Sequence, residues 1–216
     1  MARMHIYGNR GVFREIAKHA PDASPITDGL TYVADMALWF FAPRRPVSVY
    51  AVGGSDVFPD HPKKLGDYGW AIVTFDDGTT ASLGASGILP ANWPAYVSSI
   101  GMELFGSEGT LTIDDAHKDV MVASEDPTPS PYVPGSDHAI AFLGSQMPGD
   151  WALGEFYGPM REETRLFLEQ VSTGREIPMS DGAHGRDVLE LTLAIEESAG
   201  GGRPVDLPIP ADASAG

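Results

Sequence analysis

Asp28-Gly29-Leu30-Thr31-Tyr32-Val33-Ala34-Asp35-Met36-Ala37-Leu38-Trp39-Phe40-Phe41, stopped by Pro43, is the stretch on which the reading of this chain turns. Leu30, Ala34, Ala37 and Phe41 recur at helical spacing. At about 100° per residue from Asp28 they fall near 180° to 240°, and Val33 widens the stripe. Asp28, Tyr32, Asp35 and Trp39 fall within about 40° of 0°, on the opposite face. The stretch therefore predicts a helix rooted by one side in a core, with a row of acids and rings on the other.

Working outward, Pro46 to Val52 reads as a strand from its β-branched alternation. Trp70 to Phe75 and Thr79 to Ala85 flank Asp76-Asp77-Gly78, a turn that joins two twisted strands into a hairpin. Ala81, Leu83 and Ala85 then face a core, and Thr80, Ser82, Gly84 and Ser86 make a small, polar opposite face. Tyr96 to Phe105 and Thr110 to Ile113 form a further pair around Gly106-Ser107-Glu108-Gly109. With Val120-Met121-Val122 next, the expected arrangement is a meander. Residues 124 to 158, rich in Pro and Gly, read as a long loop or flap.

Two more helices follow. Pro159 opens one that stops at Gly174, with Met160, Phe167 and Val171 apolar and Arg161, Glu162, Arg165 and Glu169 solvated. The other runs from an N-cap at Ser180 to Ala199, with Val188, Leu191 and Ile195 inward and Gly200-Gly201-Gly202 ending it. Arg203 to Leu207 returns as an edge strand. Residues 1–25 carry little signal beyond a short helix over Val12 to His19, and are set apart as a lead segment. The domain is drawn over 26–209, with 210–216 a frayed tail. The fold class is α+β, an open and predominantly antiparallel sheet with helices on one face.

Composition narrows the functions. The 216 residues carry a formal charge of −16, which disfavours a nucleic-acid partner held by phosphate neutralisation. Gly and Pro together make about a fifth of the chain, which favours short elements joined by turns. There is no cysteine, hence no disulfide framework or thiolate chemistry, and a cytoplasmic setting is the expectation. No stretch approaches the roughly 18 apolar residues of a membrane span. Neither a G-x-G-x-x-G nor a phosphate-binding G-x-x-x-x-G-K-[ST] run occurs. No histidine spacing matches a zinc motif, and G-x-S-x-G is missing.

That leaves Asp28, Tyr32 and Asp35. A carboxylate beside a phenol on a rigid helix can orient a polyol by hydrogen bonds or relay a proton. The alternative is a solvated helix face with Asp28 as its N-cap. Tyr32 and Trp39 count against the latter, because aligned large rings more often meet a partner or ligand.

Thr27 to Phe40 followed by Arg45-Pro46-Val47-Ser48-Val49-Tyr50-Ala51 resembles the D-x-x-x-H-x-x-D helix and following strand of the Gfo/Idh/MocA oxidoreductases. Met102 to Asp114 resembles that family's glycine-turn hairpin. The closing order also matches: Glu163 and Phe167 on a helix, Gly174, Pro178, Ser180-Asp181-Gly182, a long helix to Ser198, and Pro204-Val205-Asp206-Leu207-Pro208. The resemblance implies the family's second domain, which binds a sugar or polyol and oligomerises through its open sheet face. NAD(P) would be bound by a Rossmann domain, supplied by another chain or a missing N-terminal part, and not by this chain alone. Residue by residue, Asp28 falls on the substrate-site aspartate, Tyr32 on the catalytic histidine and Asp35 on the later acid of the helix. Asp28 and Tyr32 are the catalytic candidates, and Asp35 and Trp39 the substrate-binding ones. No metal site is expected. Tyrosine, with an unperturbed pKa near 10, is a poorer acid-base group than imidazole near neutral pH.

Three functions compete at this stage. The chain is the substrate-binding and oligomerisation domain of a sugar or polyol dehydrogenase, or a non-catalytic assembly module that kept the interface and lost the chemistry. The third is a cofactor-free keto-sugar lyase or isomerase, with Asp28 as base and the segment 124–158 as lid.

Overall fold

The computed structural model describes residues 1–91, 98–114, 120–129, 137–143, 150–152 and 154–210. Its elements are β1 (Ala2–Asn9), α1 (Arg10–His19), a π-helical turn (Ile26–Leu30), α2 (Thr31–Phe41), β2 (Pro46–Gly54), β3 (Tyr68–Phe75), β4 (Thr80–Leu89), β5 (Ser98–Phe105) and β6 (Thr110–Asp114). The second half adds β7 (Val120–Pro129), β8 (Asp137–Leu143), β9 (Asp150–Ala152), β10 (Glu155–Tyr157), α3 (Pro159–Thr173), α4 (Gly182–Gly201) and β11 (Val205–Asp206). Seven strands make one open sheet in the order β11-β2-β3-β4-β1-β5-β6, and β7/β8 and β9/β10 make two separate hairpins. The α+β class with a mostly antiparallel open sheet is as expected.

The expected meander is not. β4 and β5 are parted by β1, which pairs in parallel with β4 (Met4 opposite Leu83) and antiparallel with β5 (Met4 opposite Met102). The low-signal reading of residues 1–27 misses this strand. Its physical basis is nonetheless plain: Ala2, Met4 and Ile6 are buried in the core, while Arg3, His5 and Tyr7 alternate onto the other face. Nor is 124–158 one long loop: β7 extends to Pro129, and β8, β9 and β10 follow.

The core lies between one sheet face and the helices. Val33, Ala34, Ala37 and Phe41 of α2 and Val188, Leu191 and Ile195 of α4 pack on Val49, Ala71, Val73, Ala81 and Leu83. The apolar stripe read from the sequence is therefore the buried one. α4 starts one residue later than the cap at Ser180 implied, since Asp181 accepts the His184 N–H (2.8 Å) and frees the Ser180 hydroxyl. Its last turn is tied to the sheet by Ser198, whose hydroxyl accepts the Ala51 N–H (2.8 Å).

One expectation about faces needs correction. The side opposite the core is not small throughout, because Trp70 lies across Gly84 and donates to the Ser82 hydroxyl (2.9 Å). A Cβ on Gly84 would sit 2.8 Å from Trp70 Cδ2, so only glycine fits beneath the ring. Tyr50, Val52, Tyr68 and Ile72 stand exposed on the same side. On α3, Met160, Phe167 and Val171 are 53%, 58% and 68% exposed, so this apolar face is not packed into the core. The opposite side is solvated as read, with Arg165 paired to Glu162 and Glu169.

The loop between β2 and β3 is closed by one carboxylate. Asp67, 3% exposed, accepts the N–H groups of Asp56 (2.6 Å), Val57 (2.6 Å) and Phe58 (2.9 Å). Its own carbonyl accepts from Gly87 N–H (2.9 Å) and the Ser86 hydroxyl (3.2 Å), so the loop clamps the end of β4. Beside it buried His61 bonds the Ala23 carbonyl (3.0 Å), which holds the approach to the π turn.

Candidate functional site

The chain places the helix row at the edge of a cavity of about 700 Å³. Its floor is the helix-facing side of three strand ends: Ile6 and Gly8 of β1, Ala85 and Gly87 of β4, and Ser98 of β5. Val12, Phe13 and Ile16 of α1 form one wall. The π turn and α2 form the second with Asp28, Gly29, Tyr32 and Asp35, and Pro159, Met160, Glu163, Ser180, Gly185 and Val188 close the third.

The π turn is what gives Asp28 its place. Residues 26–30 are wound wider than an α-helix, held below by buried Ile26 and Leu30, and the Asp28 N–H still donates to the Ser24 carbonyl (2.9 Å). Ser24 is itself buried and donates to Glu196 (3.1 Å), which also binds Lys63 (2.7 Å). The turn is thus fastened to α4 from behind while Asp28 faces the cavity. By surface area Asp28 is an exposed residue, yet protein atoms crowd its carboxyl and displace water, and this desolvation raises its pKa above the ordinary carboxylate value. Among the described residues it has no hydrogen-bond partner.

Tyr32 lies one turn further on, 52% exposed, with its ring on the cavity wall. Asp35 lines the same wall, and its Oδ1 accepts from the Ser180 hydroxyl (3.1 Å) and pairs with His184 Nε2 (2.9 Å). This ties α2 to the start of α4 and leaves Asp35 Oδ2 without a protein partner among the described residues. Trp39 is brought to neither group. It is 65% exposed further along α2, stacks edge-on with Phe40 (4.8 Å) and lies outside the cavity lining.

Several residues in or beside the cavity lining were not singled out in the sequence. His184 sits 149 positions from Asp35, and no local signal in the sequence links the two. Asn9 is 1% exposed and caps α1 by accepting the Val12 N–H (2.9 Å). Ser98 is 8% exposed and lines the cavity, with no hydrogen bond from its hydroxyl among the described residues.

These residues do not fit a dinucleotide. β1 passes directly into α1 through Gly8-Asn9-Arg10-Gly11, but the Asn9 side chain takes the helix start where a pyrophosphate would sit. Among the described residues no three His, Asp or Glu side chains converge to hold a metal ion, and no helix is long and apolar enough to cross a membrane. What the site can do is bind hydroxyls and hold a proton at Asp28 or Tyr32.

A family model described as the GFO/IDH/MocA C-terminal domain matches residues 1–112. Among solved structures, apo scyllo-inositol dehydrogenase from Lactobacillus casei is 18% identical with a TM-score of 0.69, over 95% of this chain and 54% of that one. The same enzyme with bound NAD(H) and scyllo-inositol is 18% identical, with a TM-score of 0.65 over 94% and 56%. UDP-N-acetylglucosamine 3-dehydrogenase GnnA from Acidithiobacillus ferrooxidans is 20% identical, with a TM-score of 0.59 over 92% and 55%. The chain spans about half the length of these proteins, and at these identities the likeness is one of fold. No match is found by sequence among curated proteins.

Proposed function

Because the chain belongs to the GFO/IDH/MocA C-terminal-domain family, we propose that it is the substrate-binding and oligomerisation domain of an NAD(P)-dependent sugar or polyol dehydrogenase. The nicotinamide cofactor is then held by a Rossmann domain outside these 216 residues. The observation that carries this reading is the wall formed by Asp28, Tyr32 and Asp35, with the Asp28 carboxyl desolvated and, among the described residues, unpartnered in a cavity large enough for a monosaccharide or cyclitol.

In this reading Asp28 accepts the hydrogen bond of a substrate hydroxyl and takes its proton, and the Tyr32 phenol orients a second hydroxyl. Asp35 is a positioning acid, its carboxyl fixed by Ser180 and His184 so that Oδ2 faces the ligand. The exposed Tyr50, Val52, Tyr68 and Ile72 on the open sheet face supply the homo-oligomer contact. Trp39, outside the cavity, belongs to a contact with another domain or with a long substrate.

The test combines the purified chain with candidate Rossmann-domain chains and follows NAD(P)H formation on a panel of inositols and sugars. Turnover is expected only with both chains present, and Asp28→Asn is expected to lower kcat by about 10²-fold to 10⁴-fold. Tight NAD(P)H binding by this chain alone would overturn the division of labour. A second reading, an assembly module without catalysis, is favoured by one feature, the tyrosine at position 32 where the family resemblance places histidine. It predicts sheet-face oligomers with no turnover under any partner.

A further inference from the structure

Resting on the substrate-binding reading above, the network behind the π turn identifies a residue that governs the cavity from outside it. Pro25, which opens the turn, makes no side-chain cap. The fixed point is Ser24, 0% exposed, which exchanges hydrogen bonds with Thr27: the Thr27 N–H donates to the Ser24 hydroxyl oxygen (3.2 Å) and the Ser24 N–H to the Thr27 hydroxyl oxygen (3.0 Å). The Asp28 N–H donates to the Ser24 carbonyl (2.9 Å), so Asp28 takes its place from the same residue.

A hydroxyl has one proton to give. Ser24 gives it to Glu196 Oε1 (3.1 Å), which leaves the oxygen lone pairs turned toward the Thr27 N–H. Without that carboxylate the proton is free to turn toward the Thr27 hydroxyl, 3.4 Å away, and the oxygen no longer faces the N–H it caps. The Glu196 side chain is 11% exposed and holds Lys63 through Oε2 (2.7 Å). A carboxylate so far out of water contributes little net stability even when paired, and its best-attested use is to select one arrangement among near-equals. Lys63 belongs to the loop between β2 and β3, and a second residue of that loop reaches the same point. His61 Nε2–H donates to the Ala23 carbonyl (3.0 Å), with Nδ1 turned to the N–H groups of Lys63 (3.3 Å) and Leu65 (3.4 Å). Residues 23 and 24 are thus gripped by α4 and the loop together, and none of Glu196, Lys63 and His61 lines the cavity.

We infer that Glu196 is a positioning residue for substrate binding. Acting through Ser24, it fixes the π turn so that Asp28 meets a polyol hydroxyl, and it does not itself touch the ligand.

The full chain is titrated by calorimetry with myo-inositol, scyllo-inositol, glucose and galactose, and its amide exchange is followed in parallel. Glu196→Ala is expected to weaken binding of the polyols that the parent takes by about tenfold, and to raise exchange at residues 27–30. Glu196→Gln keeps a carbonyl oxygen for the Ser24 hydroxyl while giving up the charge pairing with Lys63, and is expected to recover affinity to within about twofold of the parent. Ser24→Ala removes the relay and is expected to weaken binding as Glu196→Ala does, with the double variant no weaker than either. Glu197→Ala removes an ion pair from the next residue of α4, to Arg203 (2.6 Å), without reaching Ser24, and is expected to leave affinity unchanged. Affinity that follows Tm across these variants, rather than the Ser24 contact, would overturn the inference and make Glu196 a stability residue. Unchanged affinity or unchanged exchange in Glu196→Ala would overturn it as well, as would a Glu196→Gln chain that binds no better than Glu196→Ala. In each of those cases the parent still binds, so the substrate-binding reading stands. A parent chain that binds none of the four polyols would overturn that reading and the inference together.

Discussion

Replacing Asp67 should loosen a loop that lies outside the cavity yet anchors its floor. Its carboxylate accepts three backbone N–H groups at 2.6, 2.6 and 2.9 Å. Hydrogen bonds to a charged group contribute about 1.5–3 kcal/mol each, so three could total about 4–9 kcal/mol. Asp56 and Val57 are exposed, however, and water can rehydrate two of the three donors once the loop opens. The loss on Asp67→Ala should therefore lie at or just below the bottom of that range, about 3–4 kcal/mol. For a chain of this length that corresponds to a fall in Tm of about 6–16 °C. Asp67→Asn keeps one acceptor oxygen but turns an amide N–H toward backbone donors, and should lose about half as much. Urea unfolding would show a lower midpoint with an unchanged slope. Hydrogen exchange would show lost protection at residues 56–58. If both variants stay within about 0.5 kcal/mol of the parent, or if protection at 56–58 survives in Asp67→Ala, the carboxylate does not hold the loop and the reasoning fails.

The remaining predictions concern the site and the sheet. The raised pKa of Asp28 means that the folded chain binds that proton more tightly than the unfolded chain does. Stability from this group is full below the ordinary carboxylate pKa and is lost as pH rises through the folded value. Asp28→Asn should accordingly unfold at higher temperature than the parent at neutral pH, with the gap closing below the carboxylate range; a gap independent of pH would refute this. In Gly69→Ala, the new Cβ would sit 2.5 Å from Ile26 Cδ1, so Ile26 and the π turn must shift. The expected cost is about 1–3 kcal/mol, with ligand affinity reduced because Asp28 stands on the same turn. Ile72→Glu, on the exposed face, should shift light scattering toward monomer with little change in Tm. Tyr32→Phe should weaken polyol binding in calorimetry without altering stability, and unchanged affinity would remove the phenol from the site.

Much of this architecture could be read from local pattern. The two faces of α2, the hairpin at Asp76-Asp77-Gly78 and the inward set on α4 follow from period and turn chemistry, which act over a few residues. What escaped was non-local. β1 carries the right alternation, but eight residues interleaved with Arg3, His5 and Tyr7 look like surface until β4 and β5 close on either side. The wider winding at Ile26–Leu30 has no sequence signature of its own; Ser24, just before it, is fastened to Glu196, which binds Lys63, and both are distant in the chain. At the site, Asp28, Tyr32 and Asp35 share a wall as the helix row implied. Trp39 shows the limit of that reasoning, because one helical face is longer than one cavity. His184 and Ser98 were invisible because their significance lies in where the fold places them, His184 opposite Asp35 on another helix and Ser98 on the floor of the cavity.

The central position of β1 has a consequence for biosynthesis. Ala2 must lie beside both Ala81 and Leu104, so β1 leaves the ribosome before both of its neighbours and is not enclosed until β5 has followed. Until β5 has been translated, Met4 and Ile6 have no second neighbour, and the nascent chain carries a sticky ribbon that a holdase or a sister polypeptide could capture. Deleting β1 would leave β11-β2-β3-β4 on one side and β5-β6 on the other, two half-sheets with newly bared edges, and aggregation would be the visible result.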